Sequence, residues 1–165
     1  MIRFEKVSFD QFAKDYMKAT GHTDMNEIKA VYDSIRMPER STSNAAGYDF
    51  FVPHECRVNC GTNSHIVTGI RAHMSPEWVL MLYPRSSLGI KRGITLANTT
   101  GIIDADYYEA ENEGHIHIML TTQSPVEQII AAGERVAQGI FMQYGVAENG
   151  NTDVKRTGGI GSTGK

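Results

Sequence analysis

Three stretches of the sequence gather residue types that bind or act on oxyanions. The first is the C-terminal run RTGGIGSTGK, in which four of the last eight residues are glycine. Backbone amides with no Cβ beside them can approach phosphate oxygens closely. Ser162 and Thr163 add hydroxyl donors, and Arg156 adds a planar fork suited to a terminal phosphate. The run is not a Walker A loop, whose GxxxxGK[ST] leads into a helix. The second stretch is Tyr83-Pro84-Arg85-Ser86-Ser87-Leu88-Gly89, directly behind the apolar run WVLMLY. One arginine and two hydroxyls at a strand-to-turn junction make an anion site. The third, NTTGIIDADY (98–107), predicts an apolar strand that delivers Asp104, Asp106 and Tyr107 into a turn. Strand alternation puts the two acids on one side, one to orient a water and the other to structure the turn. Asp49, in AGYDF, is a further acid and a natural partner for Mg²⁺ travelling with a triphosphate.

Something must hold these groups in place, and the chain divides into three parts. Residues 1–40 read as a helical N-terminal extension. Ser8 with Gln11 and Asp24 with Glu27 have capping-box spacing, and Phe9, Phe12, Ala13, Tyr16 and then Ile28, Val31, Tyr32, Ile35 recur at helical intervals. Residues 41–148 carry short apolar runs separated by turn residues: YDFFV, HIVTGIRAHM, WVLMLY, GITLAN, HIHIML, VEQII and VAQGIFMQYGV. Strands without intervening helices predict a mainly β domain, an antiparallel barrel or jelly roll. Residues 149–165 are polar and glycine-rich and read as a flexible arm.

Bulk properties exclude several classes. A net charge of −3 argues against a broad nucleic-acid-binding face. The longest apolar run, Trp78 to Tyr83, is far short of the ~20 residues of a membrane helix. With no apolar signal core at the N-terminus, a cytoplasmic protein is expected, and two cysteines require no disulfide framework. Zinc is a poor match to His54, Cys56, Cys60 and His65, whose spacing is irregular. His115 and His117 share a face at i, i+2 but lack a third ligand in the sequence. Met74, Met81, Met119 and Met142 read as core fillers.

Five segments in order, AGYDF (46–50), PRSSLG (84–89), NTTGIIDADYY (98–108), RVAQGIF (135–141) and RTGGIGSTG (156–164), resemble the five motifs of trimeric dUTPases. The resemblance spans about residues 45–164 and implies a distorted jelly-roll (β-clip) homotrimer with active sites shared between subunits. It implies hydrolysis of dUTP to dUMP and pyrophosphate. Asp104 corresponds to the general base, and Asp49 to the acid that reaches Mg²⁺ through water. Arg85, Ser86, Ser87 and Gln138 correspond to phosphate contacts. Asn98 and the backbone of Gly101, Ile102 and Ile103 correspond to the uracil-reading hairpin, and Tyr107 to the ring against the sugar. Arg156, Gly161, Ser162 and Thr163 belong to the arm that closes over the phosphates.

Three departures stand out. Ile160 replaces the usual arm phenylalanine, so an aliphatic cap stands in for a stacked ring. Arg156 is one residue closer to the glycine pair than in the commonest form. Tyr107 is followed by YEAENEGHIHI in place of a short turn. The related dCTP deaminases carry an SSxxR motif and a catalytic glutamate; here Ile90 follows Leu88-Gly89, and Met119 stands where the acid is needed. A regulatory dUTPase-fold protein that binds a partner under nucleotide control is the other alternative, supported by residues 1–40 and the 108–114 loop.

Overall fold

A computed structural model describes residues 1–150 together with Arg156 and Gly158. The chain begins with a strand. β1 (Arg3–Lys6) pairs antiparallel with β6 (Ile70–His73), so the helical reading of residues 1–40 fails at its start. Four residues, three of them charged, are too few to show a period, and their strand state is set by the partner. The helices follow as the caps predict. Ser8 accepts from the Gln11 amide at the start of α1 (Phe9–Thr20), and Asp24 accepts from Asn26 and Glu27 at the start of α2 (Met25–Ser34). Gly21, in the left-handed region, ends α1. Phe12 and Ile28 are fully buried, each contributing about 1.5–3 kcal/mol of apolar burial. Both lie in the same core cluster as the barrel strands.

The remaining elements are β2 (Glu39–Arg40), β3 (Tyr48–Phe51), β4 (Cys56–Val58), β5 (Ser64–Val67), β7 (Trp78–Pro84), α3 (Ser86–Arg92), β8 (Ile94–Leu96), β9 (Gly101–Asp104), a 3₁₀ turn (Ala105–Glu109), β10 (His117–Thr122), β11 (Gln128–Ile130) and β12 (Arg135–Gln143). A five-stranded sheet runs β2-β3-β12-β7-β9 and a three-stranded sheet β5-β10-β8, with β1-β6 and β11-β4 as two-stranded pairs. Phe50, Leu80, Leu82 and Val136 of the large sheet meet Ile66, Ile118, Leu120 and Leu96 of the small one in a single core. The fold is mainly β, as expected. No helix among the described residues is long and apolar enough to cross a membrane.

Three local expectations change. The run HIVTGIRAHM is two strands, broken at Gly69, whose φ of +72° suits glycine and where a Cβ would meet the Ile35 side chain. Residues 86–92, expected to be a turn, form α3. Leu88 anchors it in the core, and Gly93 at φ 64° closes it by donating to the Gly89 and Leu88 carbonyls. Met142 is no core filler: it lies near the end of β12 and is 45% exposed.

Candidate active site

The large sheet sets the first cluster. Gln138 on β12 stands opposite Asp49 on β3 and opposite Tyr83 on β7. Asp49 is buried, and its carboxylate is shared between two guanidiniums: Arg85 Nε at 3.3 Å from Oδ1 and Arg135 Nη1 at 3.2 Å from Oδ2. Burial of this acid is sustained by that double pairing. Gly47 lets Gln138 approach, since a Cβ there would lie 3.0 Å from Gln138 Oε1. Ser86 and Ser87 are exposed in the first turn of α3. Arg85, Ser86, Ser87, Gln138 and Asp49 therefore fall at one end of β7, a cationic and hydroxyl-rich corner.

The second cluster is built on the β8–β9 turn, which is not the expected hairpin: β8 pairs with β10 and β9 with β7, in different sheets. Thr99 takes a positive φ of 62° at its tip, and Asn98 is exposed beside it. Gly101 is buried against Leu82, whose Cβ would lie 3.0 Å from a Cβ on Gly101. Asn98, Gly101, Leu82, Leu96, His117 and Met119 line a cavity of about 250 Å³. Ile102 and Ile103 continue β9, Ile102 largely exposed. Asp104 is the last residue of β9, whereas Asp106 lies in the 3₁₀ turn, so strand alternation does not relate them. Arg156 does: its Nη1 lies 3.1 Å from Asp104 Oδ2 and from Asp106 Oδ1. The same guanidinium sits 5.2 Å from the Tyr107 ring centroid. That ring is buried, its hydroxyl donating to the His115 carbonyl at 2.7 Å and accepting from Asn112 Nδ2 at 2.7 Å. Burial raises the Tyr107 phenol above its ordinary value.

The long segment after Tyr107 is explained by the N-terminal layer. Glu113 accepts from the Ser8 amide at 2.7 Å and the Ser8 hydroxyl at 2.6 Å, supplying a cap to α1 from across the fold. Tyr108 donates to Glu5 Oε2 at 2.6 Å, with the Arg71 guanidinium 4.2 Å from its ring centroid. The Tyr108 hydroxyl, Arg3 and Arg71 hold the Glu5 carboxyl down at about 2. Gly114, at φ 69°, passes so close to Tyr107 that a Cβ would lie 2.7 Å from its carbonyl oxygen.

Sequence reasoning missed one group. His115 and His117 do have a third neighbour, Asp15 of α1, whose Oδ2 lies 2.6 Å from His115 Nδ1 and 3.3 Å from His117 Nε2. A hundred residues separate them, and only tertiary packing could join them. Burial, the largest influence on Asp15, opposes its charge. Hydrogen bonds from His115 and Gln11 prevail and leave it at about 2. Burial first, then the His115 ring, pushes His117 down to about 4. His54, Cys56 and His65 line a separate surface cavity with His22, but the Asp15 group is the one set of three potential ligands among the described residues.

The Gly101 end of the second cluster adjoins the first across β7, whereas Asp104 and Arg85 lie at opposite ends of that strand. Pairing places Gly101 opposite Leu82 and Asp104 opposite Val79, while Pro84 precedes Arg85 at the other end. Val79 and Pro84 are five residue steps apart on an extended strand, about 17 Å. Ile160, Gly161, Ser162 and Thr163 lie outside the described residues.

A sequence model of the dUTPase family matches residues 33–164. The chain belongs to the dUTPase family. It is 42% identical over 133 residues to the deoxyuridine 5'-triphosphate nucleotidohydrolase of Lactococcus lactis, covering 79% of this chain and 89% of that one. The crystal structure of a dUTPase from Streptococcus mutans superposes with a TM-score of 0.68 at 34% identity, covering 88% of this chain and 98% of the other. A mutant dUTPase of phage phi11 of S. aureus, described for its coordination of a structural Mg(II) ion, shares the fold at 17% identity. Its TM-score is 0.65, with 93% of this chain and 97% of the other covered. Within this dUTPase-family chain, Asp49 already serves two arginines, and its cross-strand neighbour Glu39 is bonded to Arg36, so no set of three ligands forms there among the described residues. Such a donor set fits an ion carried in by a triphosphate and reached through water, in preference to one caged by protein alone.

Proposed function

We infer that this chain hydrolyses dUTP to dUMP and pyrophosphate. The observation that carries the reading is the cavity of Asn98 and Gly101 with the half-exposed Asp104 carboxylate at the end of β9, in a chain matched to the dUTPase family over residues 33–164. Uracil is small and amide-like, so backbone groups of residues 101–103 can read it, and a tight cavity wall can refuse thymine's methyl. Asp104 takes a proton from a water as that water's oxygen bonds to the α-phosphorus and the bond to the bridging oxygen breaks. Arg85, Ser86, Ser87 and Gln138 receive the phosphate oxygens, and Arg156 follows the triphosphate once it leaves Asp104. Mg²⁺ bound to the triphosphate would offset charge there, with Asp49 holding one of its waters. The Tyr107 ring, fixed at its hydroxyl, packs on the sugar where a 2′-hydroxyl would otherwise sit.

The separation of Asp104 from Arg85 along β7 supports a homotrimer in which each site draws on more than one subunit. The arm residues Ile160, Gly161, Ser162 and Thr163 complete the site in this reading. Deamination is disfavoured because no carboxylate lines the Asn98–Gly101 cavity among the described residues, and Met119 occupies that wall. The reading is tested by pyrophosphate release from a panel of dUTP, dTTP, dCTP and UTP, with and without Mg²⁺. Strong preference for dUTP with Mg²⁺ is expected; ammonia release from dCTP would overturn it.

A further inference from the structure

His117 stands at the junction of two features that the site leaves unconnected. It lines the cavity of Asn98, Gly101 and Met119, and it touches Asp15 of the N-terminal helix. The proton positions follow from the hydrogen bonds. His115 Nε2 accepts the Gly69 amide at 2.8 Å, so the His115 ring proton is on Nδ1 and is donated to Asp15 Oδ2. Asp15 Oδ2 also accepts from Gln11 Nε2 at 2.7 Å, which marks it as a carboxylate gathering donors. His117 Nε2, 3.3 Å from the same oxygen, is the third donor. A neutral imidazole with its proton on one nitrogen presents a lone pair on the other. Among the described residues no hydrogen bond reaches His117 Nδ1.

A metal ion fits this group poorly. To coordinate through Nδ1, His115 would carry its proton on Nε2, where the Gly69 amide already points a hydrogen. Metal-bound histidines instead donate their second N–H to an acceptor.

Resting on the dUTPase reading, we propose that His117 is a base-selecting residue of the nucleotide pocket, its Nδ1 lone pair offered as an acceptor because Asp15 fixes the proton on Nε2. Uracil carries a hydrogen on N3; cytosine presents a lone pair there. An acceptor on the wall, acting directly or through one water, favours the first and opposes the second. The charged and titratable groups around His117 are Asp15 from α1, His115 from its own segment and His65 from β5, whose ring centroid is 4.9 Å away.

The test uses the intact protein. The ¹⁵N shifts of the two His117 ring nitrogens should report a proton on Nε2, and titration with dUMP should move the Nδ1 signal. His117→Phe should raise KM for dUTP about tenfold while kcat stays within about threefold. It should also lower the dUTP-over-dCTP ratio of kcat/KM about tenfold, the worth of one hydrogen bond. dUMP affinity by calorimetry should fall in parallel. A folded variant with unchanged ratio and unchanged dUMP affinity overturns the proposal. So does a wild-type His117 protonated on Nδ1, or a Zn²⁺-induced rise in melting temperature that the variant loses. If the variant does not fold, the wild-type ¹⁵N titration decides. Absence of pyrophosphate release from dUTP by the wild type defeats the dUTPase reading alone, because dUMP binding and the His117 shifts are read independently of turnover.

Discussion

Arg156 Nη1 lies 3.1 Å from Asp104 Oδ2, so the residue assigned to a phosphate rests on the residue assigned to activate water. Asp106 Oδ1 holds the same nitrogen at 3.1 Å, and the Tyr107 ring covers the guanidinium. Both carboxylates are more than half exposed, so the pairing is worth at most about 1 kcal/mol and yields readily to a triphosphate. Truncation before Arg156 is expected to cut dUTP turnover severely while moving the melting temperature by less than about 2 °C. Pyrophosphate detection beside a thermal melt checks both; a large stability loss would refute the light anchoring of this arginine.

Asp104→Asn keeps the shape and removes the base. Turnover should drop about 10²–10⁴-fold, with the affinity for a non-hydrolysable dUTP analogue held within a few-fold. Near-normal kcat would show that another group takes the proton.

Separation of Asp104 from Arg85 along β7 makes a complementation experiment decisive. Asp104→Asn and Arg85→Ala are each expected to be inactive alone. Refolded together at equal amounts, they should recover about a quarter of wild-type activity, the random share of sites that receive an intact Asp104 from one subunit and an intact Arg85 from another. No recovery would mean that each chain builds its site unaided.

Stability should fall on mild acidification. The unfolded chain protonates His117 near 6.5 and the folded chain only near 4, so the unfolded state binds more protons in between. This contribution is intact above about pH 6.5 and is lost as the pH falls towards 4. Asp15 adds a second loss from 3.8 down to about 2. A drop in melting temperature of about 5 °C or more between pH 7 and pH 4.5 is expected, and His117→Phe should flatten it. An equal slope in that variant would place the acid sensitivity elsewhere.

Gly114→Ala should destabilise by about 1–3 kcal/mol, because φ is 69° and the new Cβ would press on the Tyr107 carbonyl. Urea unfolding measures it. An unchanged midpoint would show that the segment relaxes without strain.

The β character of the barrel, both helix caps and the five motif segments were legible because each is local: a period, a cap spacing, a turn residue. What escaped depends on contacts between distant residues. α3 carries a glycine and follows Pro84-Arg85, which reads as a turn until Leu88 finds the core. Gly69 splits one apolar run because Ile35 packs over it. Asp15 could not be joined to His115 from the sequence, since nothing near either residue records the other. Residues 1–40 and the 108–114 segment were each unexplained alone, and each is the other's partner.

The Ser8–Glu113 bridge has a consequence for how the molecule forms. Its ends are 105 residues apart, as are, within a few residues, those of the Glu5–Tyr108 and Asp15–His115 bonds. Contacts of such span close late, because the intervening chain must first surrender its freedom. During synthesis the first helix therefore leaves the ribosome with its docking surface still unmade, and it stays unlocked until two thirds of the protein has followed it out.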